Sequence, residues 1–352
     1  MERVKETEKR RKENKANFRT HAASRCGGDQ EGEERQHRRS RGIDMAASYL
    51  KLYYSGELKE RIEKARSLLK SCSVCPRRCS VNRMGGEIGK CNIADEAMVF
   101  NYASHFGEED PLVGKHGSGT IFFTNCNLQC LFCQNYNISQ LGEGTRVSKE
   151  ELARMMLSLQ YQECHNINLV SPTHVVPQIL EALEIAIELG LHIPLVYNSG
   201  GYDSVETLKL LDGIIDIYMP DMKYSDENTA KELSGVEYYP EINKVAIREM
   251  HRQVGDLQID KEGTAQRGLM IRHLVLPNGL AGTKEVVNFI AREISQYTYV
   301  NIMDQYHPCY QAFQIPSLAR RISIREFQES VELAHRAGLH CLDKGLHPII
   351  SL

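Results

Sequence analysis

Cys126, Cys130 and Cys133 fall within eight residues of one stretch, Thr124-Asn125-Cys126-Asn127-Leu128-Gln129-Cys130-Leu131-Phe132-Cys133-Gln134-Asn135. The apolar run Gly119-Thr120-Ile121-Phe122-Phe123 leads directly into it. Buried structural cysteines have no reason to cluster, whereas three thiols on one loop can converge on a single metal centre. The plain alternative is a fragment of a zinc site. A second group lies upstream, where Cys72, Cys75, Cys79 and Cys91 follow a C-x2-C-x3-C-x11-C spacing with Pro76 and Gly85-Gly86 forcing turns between them. Four thiolates are enough to close a tetrahedral site without help. A structural Zn²⁺ and a second, auxiliary iron–sulfur cluster are both compatible with that spacing.

The elements that must carry these groups show in the periodicity. Leu50, Tyr54, Leu58, Ile62, Ala65 and Leu69 recur at spacings of three or four and predict one helix over 46–69, leading into the four-cysteine module. After Met98-Val99-Phe100 and a polar connection through Glu108-Glu109-Asp110-Pro111, short apolar runs alternate with amphipathic ones. The runs predict strands at 120–123, 167–170, 193–197, 214–218, 270–276 and 300–303. Helices are expected at 149–160, 176–189, 204–211, 229–233, 242–253 and 283–294. A last one at 324–337 is opened by Ser323 and closed by Gly338. Six strands alternating with helices imply an α/β fold, a parallel sheet with right-handed crossovers curved into an open, partial (β/α)6 barrel.

Composition bounds the rest. The chain has 352 residues, 25% charged and 41% apolar, as a globular protein does, and a formal net charge of −3 gives no reason to expect nucleic acid or an anionic membrane. No apolar run reaches membrane-spanning length, and the charged N-terminus lacks the core of a signal peptide, so the expected address is the cytoplasm. Eleven cysteines in a reducing compartment favour metal ligation over disulfides. Three units are expected: a disordered tail over 1–44, a helix plus four-cysteine module over 45–100, and the barrel with its C-terminal helix over 101–352. The tail is rich in Lys, Arg, Glu and Gln and cannot bury enough surface to offset its ordering entropy. Met45 opens the first stretch that reads as foldable.

In a parallel barrel the working residues collect where the strands end. The cysteine loop follows the first strand, Ser171-Pro172-Thr173-His174 the second, and Asn198-Ser199-Gly200-Gly201 the third. Pro220-Asp221-Met222-Lys223 follows the fourth, the fifth contains Arg272-His273, and the sixth runs into Asp304-Gln305-Tyr306-His307-Pro308. Every predicted strand therefore delivers polar or conformationally special residues to one mouth. Cys164, Cys309 and Cys341 are single thiols and read as structural, with Cys309 set apart by its place near that mouth.

With those residues in place, Cys126-x3-Cys130-x-Phe132-Cys133 behind a strand resembles the cluster loop of radical S-adenosylmethionine (SAM) enzymes. The likeness runs on through the barrel toward the activating enzymes of glycyl-radical enzymes. It is strongest for uncharacterised relatives of pyruvate formate-lyase activating enzyme, which also carry an upstream four-cysteine module. It spans about 68–352. The resemblance implies a [4Fe–4S] cluster held by Cys126, Cys130 and Cys133, with one iron left for the amino and carboxylate groups of SAM. Reductive cleavage of SAM would give a 5′-deoxyadenosyl radical. It also implies an electron donor such as flavodoxin or ferredoxin, and a protein substrate, the glycyl-radical enzyme.

Carried over residue by residue, Asn135, Asn198, Asp221, Lys223, Arg272 and His307 resemble positions that hold SAM or substrate. Lys223 and Arg272 suit the methionine carboxylate, through charge-assisted hydrogen bonds in a dehydrated mouth. The family's Gly-Gly-Glu segment is replaced by Ser171-Pro172-Thr173-His174, so recognition of the SAM amino group must be built differently or be assisted by His174. Two other readings stand beside activation of a glycyl-radical enzyme. One is radical modification of another peptide, a small molecule or RNA. The other, of a different class, is a non-catalytic interaction protein whose cysteines hold zinc or iron–sulfur groups.

Overall fold

The structure, a computed structural model, describes residues 47–343. The expected tail over 1–44 lies outside the described residues. The predicted first helix is two helices, α1 (Tyr49–Ser55) and α2 (Glu57–Ser67). Gly56 separates them at φ 84°, a left-handed conformation that glycine adopts without steric cost. Apolar periodicity passes through such a break unmarked.

Nine strands form the sheet among the described residues: β1 (Ala97–His105), β2 (Ser118–Phe123), β3 (Thr145–Val147), β4 (Ile167–Val170), β5 (Leu195–Ser199), β6 (Ile217–Pro220), β7 (Gln258–Ile259), β8 (Ala265–Leu274) and β9 (Tyr299–Met303). Six of them, in the order β2-β4-β5-β6-β8-β9, are parallel neighbours, and β9 does not pair back to β2. The result is the open partial barrel that the alternation of apolar runs implies. Three antiparallel strands were not visible in the sequence: β1 against β2, β3 against β1, and β7 against β8. β1 escapes notice because it is buried only at its start, through Ala97 and Val99, and is exposed from Phe100 to Ala103, so its alternation stops after three residues.

The two faces of each parallel strand explain the rest. Ile121, Ile167, Leu169, Leu195, Leu269 and Ile271 point outward into one large core with the covering helices α5 (Lys149–Tyr161) and α6 (Val176–Glu188). Each such aliphatic side chain removed from water contributes roughly 1.5–3 kcal/mol before ordering costs. Val196, Ile217, Met219 and Met270 point inward and meet Leu112 of the short helix α3 (Asp110–Val113) in a separate small core. The polar connection 108–113 therefore folds into the barrel instead of passing over it. At the other end α11 (Ile324–Ala337) matches its predicted span, fixed by a Ser323–Glu326 capping box and by Gly338 at φ 91°.

Candidate functional site

The three-cysteine loop is held from many sides. Thr124 N–H donates to Met98 O (2.8 Å), Asn125 N–H to Ile138 O (3.0 Å), Gln129 N–H to Ser234 O (3.0 Å) and Leu131 N–H to Leu233 O (2.9 Å). Gln311 N–H donates to Leu131 O at 2.9 Å. Side chains complete the anchoring: Asn127 Nδ2 donates to Tyr202 O at 2.7 Å, and Arg77 Nε, from the four-cysteine module, to Asn127 O at 2.5 Å. Phe132 packs edge-on between Tyr224 and Tyr306. Such a loop keeps its shape without a bound group, because its backbone donors and acceptors are satisfied by fixed neighbours.

Its thiols face hydrogen-bond donors. Cys130 Sγ lies 2.9 Å from Ser234 Oγ, Cys133 Sγ 3.1 Å from Ser139 Oγ, and Cys126 Sγ accepts from Leu128 N–H at 3.4 Å. Burial, and then repulsion from Cys130, pushes the Cys126 thiol up to about 12. Burial raises Cys130 as well, against the opposing pull of Lys223. Thiols so placed stay protonated until a cation takes them, which is the behaviour of a metal–sulfur ligand set with donors waiting for the sulfurs. Among the described residues no three His, Cys, Asp or Glu side chains stand close enough together to share one metal ion. Three thiols on one anchored loop are the donor set a four-iron cluster takes, with Lys223 close enough to oppose the rise in the Cys130 pKa.

The other residues singled out from sequence divide between two rims. Asn198, Asp221, Lys223 and Arg272 sit together on the ends of β5, β6 and β8. Lys223 Nζ bonds Asp221 Oδ2 at 2.5 Å, and Arg272 Nη1 donates to Asn198 Oδ1 at 3.3 Å. Burial works against the charge on Lys223, but Asp221 and Cys130 outweigh it and hold the ammonium protonated. Asn135 and His307 lie beside Gln134, where the end of the cluster loop meets the segment after β9. Asn135 is exposed and starts the turn α4 (Tyr136–Ser139), and His307 Nδ1 faces Gln134 Nε2 at 3.4 Å.

Arg272 has partners the sequence did not supply. Its Nε and Nη2 donate to both oxygens of Glu109 at 2.7 Å, and Nη2 also reaches Glu108 at 2.5 Å. Burial favours the neutral form of Glu109, yet Arg272 and Asn301 hold its carboxyl below the usual carboxylate range. Two of the chain's own carboxylates already neutralise this guanidinium, whereas Lys223 has one, so Lys223 is the less committed cation. Glu108, Glu109, Arg272, Asn301, Met303 and Gln305 line a cavity of about 190 Å³ beside the open edge at β9.

His174 is likewise turned away from the mouth. It is buried, its Nε2 donates to Thr124 O at 3.0 Å, and its backbone carbonyl accepts from Arg83. Burial, reinforced by Arg83, lowers its pKa to about 4, so the ring is neutral at pH 7. It braces the cluster loop two residues before Cys126 and is not placed to assist a SAM amino group. Thr173 is committed to Asp203 at 2.7 Å, which also takes Tyr197 and Ser199. Tyr239 and Asn243, on α9 (Tyr239–Val254), clamp the loops after β5 and β6 by donating to Gly200 O, Gly201 O and Asp221 O. A Cβ at Gly201 would run into Asp221 O and Asn243 Nδ2, so that loop requires glycine. Of these residues Thr173, His174, Ser199 and Gly200-Gly201 stood out in the sequence as strand-end loops, whereas Asp203, Tyr239 and Asn243 left no mark there.

In the upstream module Cys72, Cys75 and Cys91 are buried and Cys79 is partly exposed. Burial pushes Cys75 up to about 12. Lys90 N–H donates to Cys79 Sγ at 3.4 Å. A single zinc ion would require these four side chains to draw together.

An open parallel barrel with three thiols on the loop after its first parallel strand defines a class, and comparison with known proteins agrees. The radical SAM superfamily profile matches residues 120–256. The uncharacterized protein MJ0674 of Methanocaldococcus jannaschii is 33% identical over 289 residues, which cover 79% of this chain and 78% of that protein. The chain belongs to the radical SAM superfamily, and its cofactors are a [4Fe–4S] cluster and SAM. Among solved structures, a radical SAM methyltransferase from Sphaerobacter thermophilus is similar at TM-score 0.43 and 13% identity, over 81% of this chain and 91% of its own. Methylornithine synthase is similar at 0.41 and 15%, over 89% and 86%. No helix among the described residues is long and apolar enough to cross a membrane.

Proposed function

We propose that this radical SAM enzyme holds its cluster on Cys126, Cys130 and Cys133 and uses it to activate a partner enzyme by taking a hydrogen atom from a backbone glycine. The observation that carries the reading is the anchored three-thiol loop, with serine hydroxyls within hydrogen-bond distance of two of its sulfurs and a backbone N–H on the third. A [4Fe–4S] cluster held there would, when reduced, supply the electron for cleaving SAM into methionine and a 5′-deoxyadenosyl radical. The chain's own residues bind and orient. Ser234 and Ser139 would donate to Cys130 and Cys133 once those sulfurs are thiolates. Lys223, held by Asp221 beside Cys130, receives the methionine carboxylate. Asn198, Asn135 and His307 contribute polar contacts from the rims, and Arg272, bound to Glu108 and Glu109, shapes the lateral wall. Phe132, Tyr224 and Tyr306 keep water from the loop.

The lateral cavity supports a slender target. At about 190 Å³ it is smaller than the roughly 300–1,000 Å³ of ordinary small-molecule sites, and a glycine is the slimmest residue a protein can insert. Cys72, Cys75, Cys79 and Cys91 are read as a second metal–thiolate centre, zinc or iron–sulfur, in a module over 45–100 ahead of the barrel at 101–352. The proposed electron donor is a flavodoxin or ferredoxin, and the proposed address the cytoplasm.

The test is anaerobic reconstitution with iron and sulfide, reduction, and incubation with SAM. The expected result is a brown protein that releases 5′-deoxyadenosine and methionine, and that raises a glycyl-radical signal in electron paramagnetic resonance when a glycyl-radical enzyme from the same organism is added. SAM cleavage without that signal, in an organism that encodes no glycyl-radical enzyme, would overturn activation in favour of modification of another peptide, a small molecule or RNA.

A further inference from the structure

Arg83 is fully buried, with 0% of its surface exposed. Its Nε donates to Ala94 O at 2.7 Å and its Nη1 to His174 O at 2.9 Å, while Nη1 also faces Cys72 Sγ at 3.9 Å. Nη2 is buried without a partner, and no carboxylate among the described residues pairs with the guanidinium. The buried cations of the barrel mouth have carboxylates of their own, Arg272 with Glu109 and Lys223 with Asp221, whereas in the cysteine module the half-buried Arg77 shares with Arg83 a buried Nη2 that has no partner. A cation sealed in a protein interior without a counter-charge is strongly disfavoured, because carbonyl dipoles replace only part of its lost hydration. Something anionic is therefore required beside it. The groups at hand are the thiols of Cys72 and its module.

We propose that Arg83 is the built-in counter-cation of an anionic four-thiolate metal centre formed by Cys72, Cys75, Cys79 and Cys91. The inference rests on the four-cysteine reading given above and adds the residue that makes the centre tolerable in a buried place. Four thiolates carry more negative charge than either Zn²⁺ or a [4Fe–4S] core cancels. Arg83 stands beside that excess, its Nη1 facing Cys72 Sγ at 3.9 Å and its Nη2 buried without a partner. Ala94 O and His174 O fix the guanidinium in orientation, in the way outer partners hold a metal ligand set.

The test counts metal in the full chain carrying Cys126→Ala, Cys130→Ala and Cys133→Ala, so that only the upstream module can bind it. Iron, sulfide and zinc are measured per chain before and after a chelator challenge. Iron with sulfide identifies a cluster, and zinc alone identifies a single ion. Arg83→Lys keeps the charge with fewer hydrogen bonds, and Arg83→Gln keeps hydrogen bonding without the charge. The expected result is metal retention by Arg83→Lys within a few-fold of the parent and a loss of roughly 10–100-fold in retention by Arg83→Gln. Retention by Gln equal to or better than by Lys overturns the counter-cation role.

Thermal unfolding supplies a second measurement. In a chain with all four upstream cysteines changed to Ala, Arg83→Gln should raise the melting temperature or leave it unchanged, since the lone charge is removed. In the metal-bound chain the same change should lower it. Equal destabilisation in both backgrounds marks Arg83 as a carbonyl tether only. Absence of any metal in the parent chain after reconstitution defeats the four-cysteine reading itself, a result distinct from a failure of Arg83 alone.

Discussion

The two cysteine groups differ in what surrounds them. Around Cys126, Cys130 and Cys133 the donors are neutral hydroxyls and a backbone N–H, and the nearby cation, Lys223, is already paired with Asp221 at the open mouth. Around Cys72, Cys75, Cys79 and Cys91 the fully buried cation, Arg83, has no carboxylate, and neither has the half-buried Arg77. A ligand set with three thiols and an open side can admit a reactant, whereas one with four thiols and an internal cation is closed and suits structure or electron storage. Arg77 and the Arg83–His174–Thr124 path join the two, so the closed group braces the open one.

The sharpest way to break this comparison is to exchange the consequences. Changing Cys126, Cys130 and Cys133 to Ala should take SAM cleavage to the uncatalysed background, measured as 5′-deoxyadenosine by chromatography, with a melting temperature close to that of the parent. Cys72→Ala or Cys75→Ala should do the reverse, lowering the melting temperature by roughly 5–10 °C at the 2–4 °C per kcal/mol expected for a domain of this size. Some cleavage should survive in the fraction that stays folded. Cleavage abolished in Cys75→Ala at unchanged stability would make the upstream group part of the reaction.

Legibility followed the same division. The loop chemistry could be read because cysteine spacing is a local property, and the outward faces of β2, β4 and β5 could be read because Ile121, Ile167, Leu169 and Leu195 must be apolar. The ends of β5 and β6 were placed too early because Asn198, Ser199 and Pro220 look like loop residues, yet they sit in parallel register as Asn198↔Met219 and Ser199↔Pro220. A barrel interior admits polar residues at its mouth, which erases the apolar signature there. Nothing local pairs Glu109 with Arg272, since 163 residues separate them. The same is true of Arg83 and His174, 91 residues apart. Long-range ion pairs and braces are products of topology, so the sequence pointed to Arg272 without its partner Glu109 and did not point to Arg83 at all.

The Arg272 pair offers a middle-sized test on the mouth side. Glu109→Gln leaves the buried guanidinium with a weaker partner and should cost roughly 3 kcal/mol in chemical denaturation at pH 7. The pH dependence has a definite sign. Because Arg272 lowers the folded-state pKa of Glu109, its stabilisation is fully present above the ordinary carboxylate range and is lost as pH falls through the depressed value. Glu109→Gln should therefore flatten the acid limb of the stability curve. An unchanged acid limb would mean that Glu108 carries the pairing alone.

The smallest effect belongs to the scaffold of the closed group. Gly56→Ala places a side chain at φ 84°, where no atom lies within 4 Å of the added Cβ, so the cost is backbone strain without a clash. About 1 kcal/mol of stability should be lost, a fall of roughly 2–4 °C. α1 docks on the barrel through Tyr49 Oη to Ile193 O at 2.9 Å, whereas α2 leads to the cysteines. If the metal centre folds as a unit on a prebuilt helical support, the loss should be equal in the metal-bound chain and in the chain lacking all four upstream cysteines. A larger loss in the metal-bound chain would show that the bend at Gly56 is set by the metal centre, and that the closed group shapes its own support.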